Sequence, residues 1–144
     1  MTSWLYPVNP TNKESWGYTK SPIEVMTGEK DDHTWYVPRK FGVAKGDLIW
    51  VRESKHKGNP VAQVIGVGVV RSDEPRQRKD GAYYFKVVFG TALCHHLAAN
   101  PFTLQVEAPP QAPLKLRASE QAQLAQVVFE FAASQTRTQA LTVD

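Results

Sequence analysis

The clearest pattern in the chain is a set of apolar segments, rich in β-branched and aromatic residues, that polar loops separate. Residues 48–53, 61–71 and 82–89 have this character, which predicts three long strands in succession. Gly66 and Gly68 interrupt the second segment, and we expect a bend or a close backbone approach there. Because no helical pattern lies between these strands, neighbours should pair antiparallel and not as parallel strands with crossover helices.

Shorter β-prone segments flank this central group. Residues 4–8 and 34–37 predict two short strands before it, and residues 102–106 predict another one after it. Pro7 lies in the first of these segments and has no backbone N–H to donate. It therefore favours an edge position or an early end for that strand.

Helical patterns are confined to the flanks of the strands. Residues 21–24 are typical of the start of a short helix, and residues 91–100 predict one helical turn. The strongest helix prediction covers residues 118–134, with Ser119 as its N-cap. Its apolar residues share one face: Leu124, Val127, Val128 and Phe131. Residues 135–144 are expected to form a mobile tail.

These elements predict one α+β domain over residues 1–134, built as a curled, mostly antiparallel sheet or small β-barrel with peripheral helices. A length of 144 residues is that of a single ordinary domain. Cys94 is the only cysteine and excludes an internal disulfide, so a cytoplasmic location is the default expectation. No apolar run approaches the roughly 20 residues that a membrane-spanning helix needs.

The net positive charge of the chain modestly favours anionic partners. The formal net charge is +3 and the isoelectric point is about 9.0, well short of a histone-like excess. Basic side chains on the predicted loops are either solvated surface or contacts to phosphates. The candidates for phosphate contacts are Lys55, Lys57, Arg76, Arg78 and Lys79.

Catalytic chemistry has little support in the sequence. Cys94, His95 and His96 form the most suggestive cluster, but adjacent residues of a strand point to opposite faces, and no second cysteine or His-x-x-x-His spacing accompanies them. Gly66 and Gly68 lie inside a predicted strand and not at a strand-to-helix turn, so they are not a nucleotide-binding motif. We therefore expect a protein that is not an enzyme and that uses no cofactor and no metal.

Aromatic residues are concentrated in the first fifty positions, which hold all four tryptophans: Trp4, Trp16, Trp35 and Trp50. A flat ring offers a base a stacking surface worth about 1–3 kcal/mol. Facing rings with polar groups at their edge can hold a base that has been flipped out of a strand. Aromatic rings also fill the cores of small β domains, so both interpretations apply to each ring.

Four segments, taken in order, resemble the EVE domain family of the PUA-like superfamily, to which YTH and ASCH domains are related. These segments are WLYPVNP at residues 4–10, WYVPR at 35–39, KGDLIWV at 45–51 and VAQVIGVGVV at 61–70. The resemblance implies a PUA-like fold, in which helices pack around a curled sheet. It also implies a module that binds DNA or RNA, since several members of the group hold a modified base in a pocket.

By position, the resemblance implies a base pocket made by the end of the first strand, the Trp35 segment and the end of the strand at 48–53. Asn9 would hydrogen-bond to a base edge, and Trp35 would stack on the base. Arg39 matches a basic position after that ring, and Ser54 matches a small polar position that lines the pocket.

Two residues depart from the family pattern. Trp50 and Arg52 stand where other aromatic residues are usual, and they share one face of their strand. An arginine two residues from a tryptophan on the same face suits the rim of a pocket. The complete predicted pocket is Asn9, Trp16, Trp35, Tyr36, Arg39, Trp50, Arg52 and Ser54.

The leading hypothesis is a non-catalytic module that binds DNA or RNA and recognises a flipped base, for example a methylated or hydroxymethylated cytosine. A separate nuclease subunit is a further expected partner, and no membrane is expected. The alternative is a protein-interaction subunit of a larger defence or RNA-handling complex, using the helix at 118–134; a second apolar face on that helix would favour it. A third hypothesis, a small enzyme on the same scaffold, would need a general base such as His33, His56 or Glu53.

Overall fold

The computed structural model describes most of the sheet and two helices. The described residues are 2–8, 26–27, 33–37, 42–53, 63–72, 76–77, 79, 83–104 and 114–142. For residues 33–37, Tyr84 and residues 139–142, the description covers the backbone alone.

Seven strands and two helices make up the described part of the chain. The strands are β1 (Ser3–Val8), β2 (His33–Val37), β3 (Leu48–Glu53), β4 (Gln63–Val70), β5 (Arg76–Gln77), β6 (Tyr83–Phe89) and β7 (Leu114–Lys115). The helices are α1 (Thr91–Ala99) and α2 (Ala118–Thr142).

The strands form one sheet in the order β2-β6-β4-β3-β1-β7, and β5 pairs with β6. All described strand pairings are antiparallel except that of β1 with β3, which is parallel. The α+β class, the mostly antiparallel sheet and the antiparallel order of the three central strands are thus confirmed. The parallel pair was not predicted: β1 lies against the free side of β3, whose other side is taken by β4.

Several element boundaries differ from the sequence prediction. The segment predicted as a strand at 102–106 has one isolated bridge, from Phe102 to Val64. The two short strands β5 and β7 were not predicted, and α1 is longer than the expected single turn. Residues 21–24, where a short helix was expected to start, lie outside the described residues.

The start and the end of α2 also differ from the prediction. Ser119 lies inside the helix, and the cap residue is Arg117, which directly precedes the helix. The backbone N–H of Arg117 donates to Oε1 of Glu120 at 2.8 Å. This is half of a capping box, in which a glutamate of the first turn satisfies a free N–H at the helix start. The helix then runs on to Thr142, through residues that were expected to form a tail.

Apolar side chains cover both faces of the sheet and form two cores. We call the first the inner core: Tyr6, Val8, Met26, Val43, Ile49, Val51, Ile65, Val70, Phe85, Val87, Phe89 and Cys94. We call the second the outer core: Leu5, Trp50, Val64, Val67, Leu97, Leu104, Leu116 and Leu124. Side chains of β1, β3 and β4 therefore alternate between the two cores, and the outer one is covered by α1 and the first half of α2.

One ring contact shows that the sheet is strongly curled. Tyr6 on β1 and Phe85 on β6 are three strand spacings apart in the sheet order, which in a flat sheet would separate them by about 14 Å. Their ring centroids lie 6.5 Å apart in an edge-to-face arrangement. The sheet therefore bends around the inner core.

The two glycines of β4 allow the close packing that this curl requires. A Cβ atom on Gly66 would lie 2.8 Å from Cε of Met26 and 3.3 Å from Sγ of Cys94. A Cβ atom on Gly68 would lie 2.9 Å from the carbonyl oxygen of Val88. The close backbone approach predicted for this segment is found at Gly68, whereas at Gly66 the close atoms belong to side chains.

Candidate functional site

Many of the predicted site residues lie outside the described part of the chain. They are Asn9, Trp16, Arg39 and Ser54 from the predicted pocket, and Lys55, Lys57 and Arg78 from the predicted phosphate contacts. Trp35 and Tyr36 lie on β2, where the backbone alone is described. Trp50, Arg52, Arg76 and Lys79 are described in full.

The described pairing does not bring Trp35 beside Trp50. Trp35 pairs with Phe85 on β6, and two strands, β6 and β4, separate β2 from β3. The curl of the sheet brings Phe85 against Tyr6, which belongs to the inner core. Trp50 packs on the opposite face of β3, in the outer core.

The Trp50 ring is part of the protein interior. It is 4% exposed and is flanked by its cross-strand partners Leu5 on β1 and Val67 on β4. A base cannot stack on this ring in the described structure, because protein atoms already cover it. An aromatic ring in this sequence could either fill the core or stack on a base, and Trp50 fills the core.

Arg52 lies two residues further along β3 and on the same face as Trp50. Its side chain is only 9% exposed, which is rare for arginine unless it is paired. Within the described residues no side chain or backbone group accepts a hydrogen bond or forms an ion pair with its guanidinium. Burial lowers the pKa of Arg52 below its ordinary value, although arginine remains charged at neutral pH.

The immediate neighbours of Arg52 across the sheet are uncharged. Arg52 pairs with Pro7 on β1 and with Val64 on β4. Glu53 is adjacent in sequence, but consecutive residues of a strand point to opposite faces. The rungs next to Arg52 therefore offer its charge no carboxylate on its own face.

A register shift occurs at this same point of the sheet. Val51 pairs with Gly66, whereas the next residue, Arg52, pairs with Val64, so that Ile65 is an extra residue in β4. Such a β-bulge bends its strand and re-aims nearby side chains, and bulges are common beside functional sites. The sequence signal for it was Gly66, which predicted a bend in this strand.

Arg52 also lies where two parallel strands end together. The last two rungs of the β1–β3 pair are Pro7 with Arg52 and Val8 with Glu53. In the sequence, Asn9 follows Val8 directly and Ser54 follows Glu53 directly. The parallel pairing that joins these two strand ends was not predicted.

The Lys45-Gly46-Asp47 turn organises the opposite end of this strand pair. The Asp47 carboxylate accepts hydrogen bonds from the backbone N–H of Thr2 to Oδ1 at 2.9 Å, and from the backbone N–H of Ala44 to Oδ2 at 2.9 Å. Gly46 has a φ of 91°, in the left-handed region that favours glycine. Sequence reasoning identified the turn but not the role of its carboxylate, because only the tertiary fold brings Thr2 next to it.

Asp47 is held as an anion by these contacts. Burial raises the pKa of the carboxyl group, but the hydrogen bonds from Thr2, Ala44 and Trp4 lower it, and the net shift is downward. The indole N–H of Trp4 supplies the third of these bonds. Trp4 thus has a structural role, which leaves it out of the candidate site.

The cysteine and histidine cluster lies on a helix and not on a strand. Cys94 is buried on α1, where its thiol donates to the carbonyl oxygen of Val67 at 3.4 Å. Burial raises its pKa, opposed by a hydrogen bond from the backbone N–H of Val67. His95 is exposed, and His96 packs against the ring of Phe131 at 5.1 Å between centroids. In the part of the chain that is described, no three His, Cys, Asp or Glu side chains come together as a metal site would require.

Two predicted phosphate contacts are accessible. Arg76 on β5 and Lys79 after it are both exposed. Their side chains are thus available to an anionic partner, and Arg76 lies on the strand that pairs with β6. Neither α1 nor α2 is long and apolar enough to cross a membrane.

The middle of α2 carries exposed apolar residues. Phe129 is 67% exposed and Val128 is 37% exposed. Ala125 and Ala132 are also exposed and, at spacings of four and three residues, lie on the same helix face as Phe129. The sequence prediction put Val128 on one apolar face with Leu124, Val127 and Phe131, but Val128 is exposed whereas Leu124 is buried.

Comparison with known proteins finds no match for this chain among protein-family models, curated proteins or solved structures. The resemblance to EVE domains therefore stays a prediction from the sequence.

Proposed function

We propose that this chain is a PUA-like module of the EVE type that binds nucleic acid and holds one base, without catalysing a reaction. The observation that carries the proposal is the buried Arg52, which has no acceptor among the described residues and lies at the shared end of β1 and β3. That is the end at which the resemblance puts the pocket. A cation held in this way favours nucleic acid as a ligand, because both the bases and the phosphates of a strand offer acceptor atoms.

The curled sheet supports the finer fold assignment. The contact between Tyr6 and Phe85 requires the sheet to wrap around its inner core, as the sheet of a PUA-like domain does. The bulge at Ile65 and the close packing at Gly66 are devices that bend a sheet in this way. These features favour the PUA-like fold over a flat sheet of the same class.

Exposed basic side chains supply contacts to the nucleic-acid backbone in this proposal. Arg76 and Lys79 would neutralise phosphates without reading the base sequence. Replacing both by alanine should weaken binding to all sequences alike. The slope of the logarithm of the binding constant against the logarithm of the salt concentration should become less steep by about 0.7–0.9 for each lost contact. The matched control replaces Lys115 and Arg137, which are also exposed but belong to neither predicted set.

The proposed function is tested by fluorescence polarisation with short DNA and RNA oligonucleotides at low salt. Unmodified cytosine is compared with 5-methylcytosine and 5-hydroxymethylcytosine, and adenine with N6-methyladenine. We expect preferential binding to one modified base. Equal binding to all oligonucleotides would remove base recognition from the proposal, and no binding to any of them would reject the nucleic-acid function.

The exposed face of α2 favours a second candidate function, a protein-interaction subunit. Phe129 and its exposed alanine neighbours form an apolar helix face that the described part of the chain leaves uncovered. Faces of this kind mark interaction sites in soluble proteins. Sedimentation velocity over a range of protein concentrations tests the simplest case, association of two copies through α2.

A further inference from the structure

Among the described residues, the guanidinium of Arg52 has no partner of opposite charge. A buried charge is costly unless it is paired and hydrogen-bonded. Arg52 is nine-tenths buried, and its cross-strand neighbours Pro7 and Val64 carry no charge. An acceptor from outside the described structure would supply what these neighbours lack.

A phosphate group fits this cation better than a neutral base edge does. Guanidinium and phosphate match in geometry, because two parallel N–H groups can donate to two oxygens at once. A formal negative charge also offsets the loss of hydration more fully than the dipole of a carbonyl or ring nitrogen can. Both arguments favour an oxyanion as the ligand of Arg52.

The burial of Arg52 restricts the kind of phosphate that can reach it. A phosphodiester within a strand is joined to nucleotides on both sides, so it would need a groove that is open at both ends. Arg52 is only 9% exposed, which does not suit such a groove. A terminal phosphate needs a single entrance and carries a charge of about −1.5 to −2 at neutral pH. The bulge at Ile65 bends the adjacent strand β4 beside Arg52.

We propose that Arg52 binds a terminal phosphate group, either at the end of an oligonucleotide or on a free mononucleotide, at the shared carboxyl end of β1 and β3. The inference rests on the proposed nucleic-acid function for its choice of phosphate over other oxyanions. Arg52 then recognises a strand end or a single nucleotide, and the exposed Arg76 and Lys79 contact the phosphates of the strand outside.

The first experiment uses inorganic phosphate as the probe and needs no oligonucleotide. Thermal unfolding of the wild-type protein is followed as phosphate replaces chloride at constant ionic strength. A bound anion stabilises the folded state by mass action, so the melting temperature should rise by several degrees. In Arg52→Met, which keeps the volume but removes the charge, the rise should vanish, whereas the exposed control Arg137→Met should retain it.

The second experiment separates the two sources of the phosphate. Wild-type protein should bind a 5′-phosphorylated or 3′-phosphorylated oligonucleotide at least about tenfold more tightly than the same strand with hydroxyl ends. Arg52→Met should bind both strands equally. A preference for a free mononucleotide over either strand would identify the mononucleotide as the ligand.

The outcomes distinguish this inference from the proposed function. Oligonucleotide binding that depends neither on the terminal phosphate nor on Arg52 would overturn the inference but would still support the nucleic-acid function. A phosphate response that depends on Arg52, without any oligonucleotide binding, would support the anion site and reject the function. If Arg52→Met does not fold, Arg52→Gln provides the same test, and an undiminished phosphate response in that variant overturns the inference.

Discussion

The indole N–H of Trp4 donates a hydrogen bond to Oδ2 of Asp47 at 3.1 Å, which joins the first strand of the sheet to the turn that begins β3. The same carboxylate accepts the backbone N–H groups of Thr2 and Ala44. One anion thus fixes the start of the parallel pair β1–β3, at the end opposite Arg52.

Removing this carboxylate should destabilise the fold. Asp47→Ala leaves two partly buried backbone N–H groups and the Trp4 indole without their acceptor, and we expect a loss of about 2–4 kcal/mol in the free energy of unfolding. Urea unfolding at neutral pH measures it. Asp47→Asn retains one acceptor oxygen and should lose less, so an equal loss in both variants would contradict the hydrogen-bond account.

The contribution of Asp47 should depend on pH in a defined direction. Its pKa is lowered in the folded state, so the folded protein binds this proton less readily than the unfolded chain does. The stabilisation is therefore complete above the ordinary carboxyl pKa of about 3.9 and is lost as the pH falls through the lower folded value. Urea unfolding of wild type and Asp47→Asn between pH 7 and pH 2.5 should give curves that converge at the acid end. Curves that stay parallel would contradict the linkage.

Adding a methyl group to β4 should disturb the packing at both glycines, and more at Gly68. The nearest fixed atom to a Cβ there is the carbonyl oxygen of Val88, which belongs to the backbone and cannot move freely. At Gly66 the close atoms include the end of the flexible Met26 side chain. We expect Gly68→Ala to cost about 2–3 kcal/mol and Gly66→Ala about 1–2 kcal/mol.

The matched control for these substitutions is Gly42→Ala. A Cβ atom there would meet only the Trp4 ring, at 3.9 Å, which is an ordinary contact. Its melting temperature should stay close to that of the wild type. A Gly68→Ala protein as stable as the Gly42→Ala control would mean that the contact between β4 and β6 is looser than described.

The curled sheet could be predicted from the sequence, while the content of the two cores could not. The alternation of β3 correctly put Trp50 and Arg52 on one face, and it identified the strand bounds of Leu48–Glu53. It could not reveal that this face is covered by α1 and α2, because burial depends on which distant segment packs there. An aromatic residue next to an arginine has the same local pattern in a core as at the rim of a pocket.

The location of the candidate site stays a prediction from the sequence, and its contacts could not be predicted. The resemblance pointed to the ends of two strands, and the parallel pairing of β1 with β3 joins those ends. That pairing links residues more than forty positions apart and leaves no periodic signal in the sequence. The lack of a partner for Arg52 is likewise a property of its neighbours Pro7 and Val64, which only the register identifies.

Two tryptophans should respond differently to truncation. Trp50→Ala removes a ring from the outer core and should cost about 3–5 kcal/mol of stability. Trp35→Ala should abolish binding to a modified base and leave the fold intact, since stacking on that ring is the role that the resemblance implies. Melting temperature and oligonucleotide polarisation separate the two effects. If Trp35→Ala unfolds the protein, Trp35 belongs to the core and the proposed pocket is misplaced.

The exposed face of α2 gives a prediction that distinguishes the two candidate functions. Phe129 is 67% exposed, so Phe129→Ser should change the free energy of unfolding by no more than about 0.5 kcal/mol. Leu124→Ala, on the buried face of the same helix, should cost about 2–5 kcal/mol. If α2 joins two copies of the chain, sedimentation velocity should detect a dimer that Phe129→Ser dissociates, while oligonucleotide binding stays unchanged. A monomer at every concentration rejects self-association through α2, and a large loss of stability in Phe129→Ser would instead make this ring part of the fold.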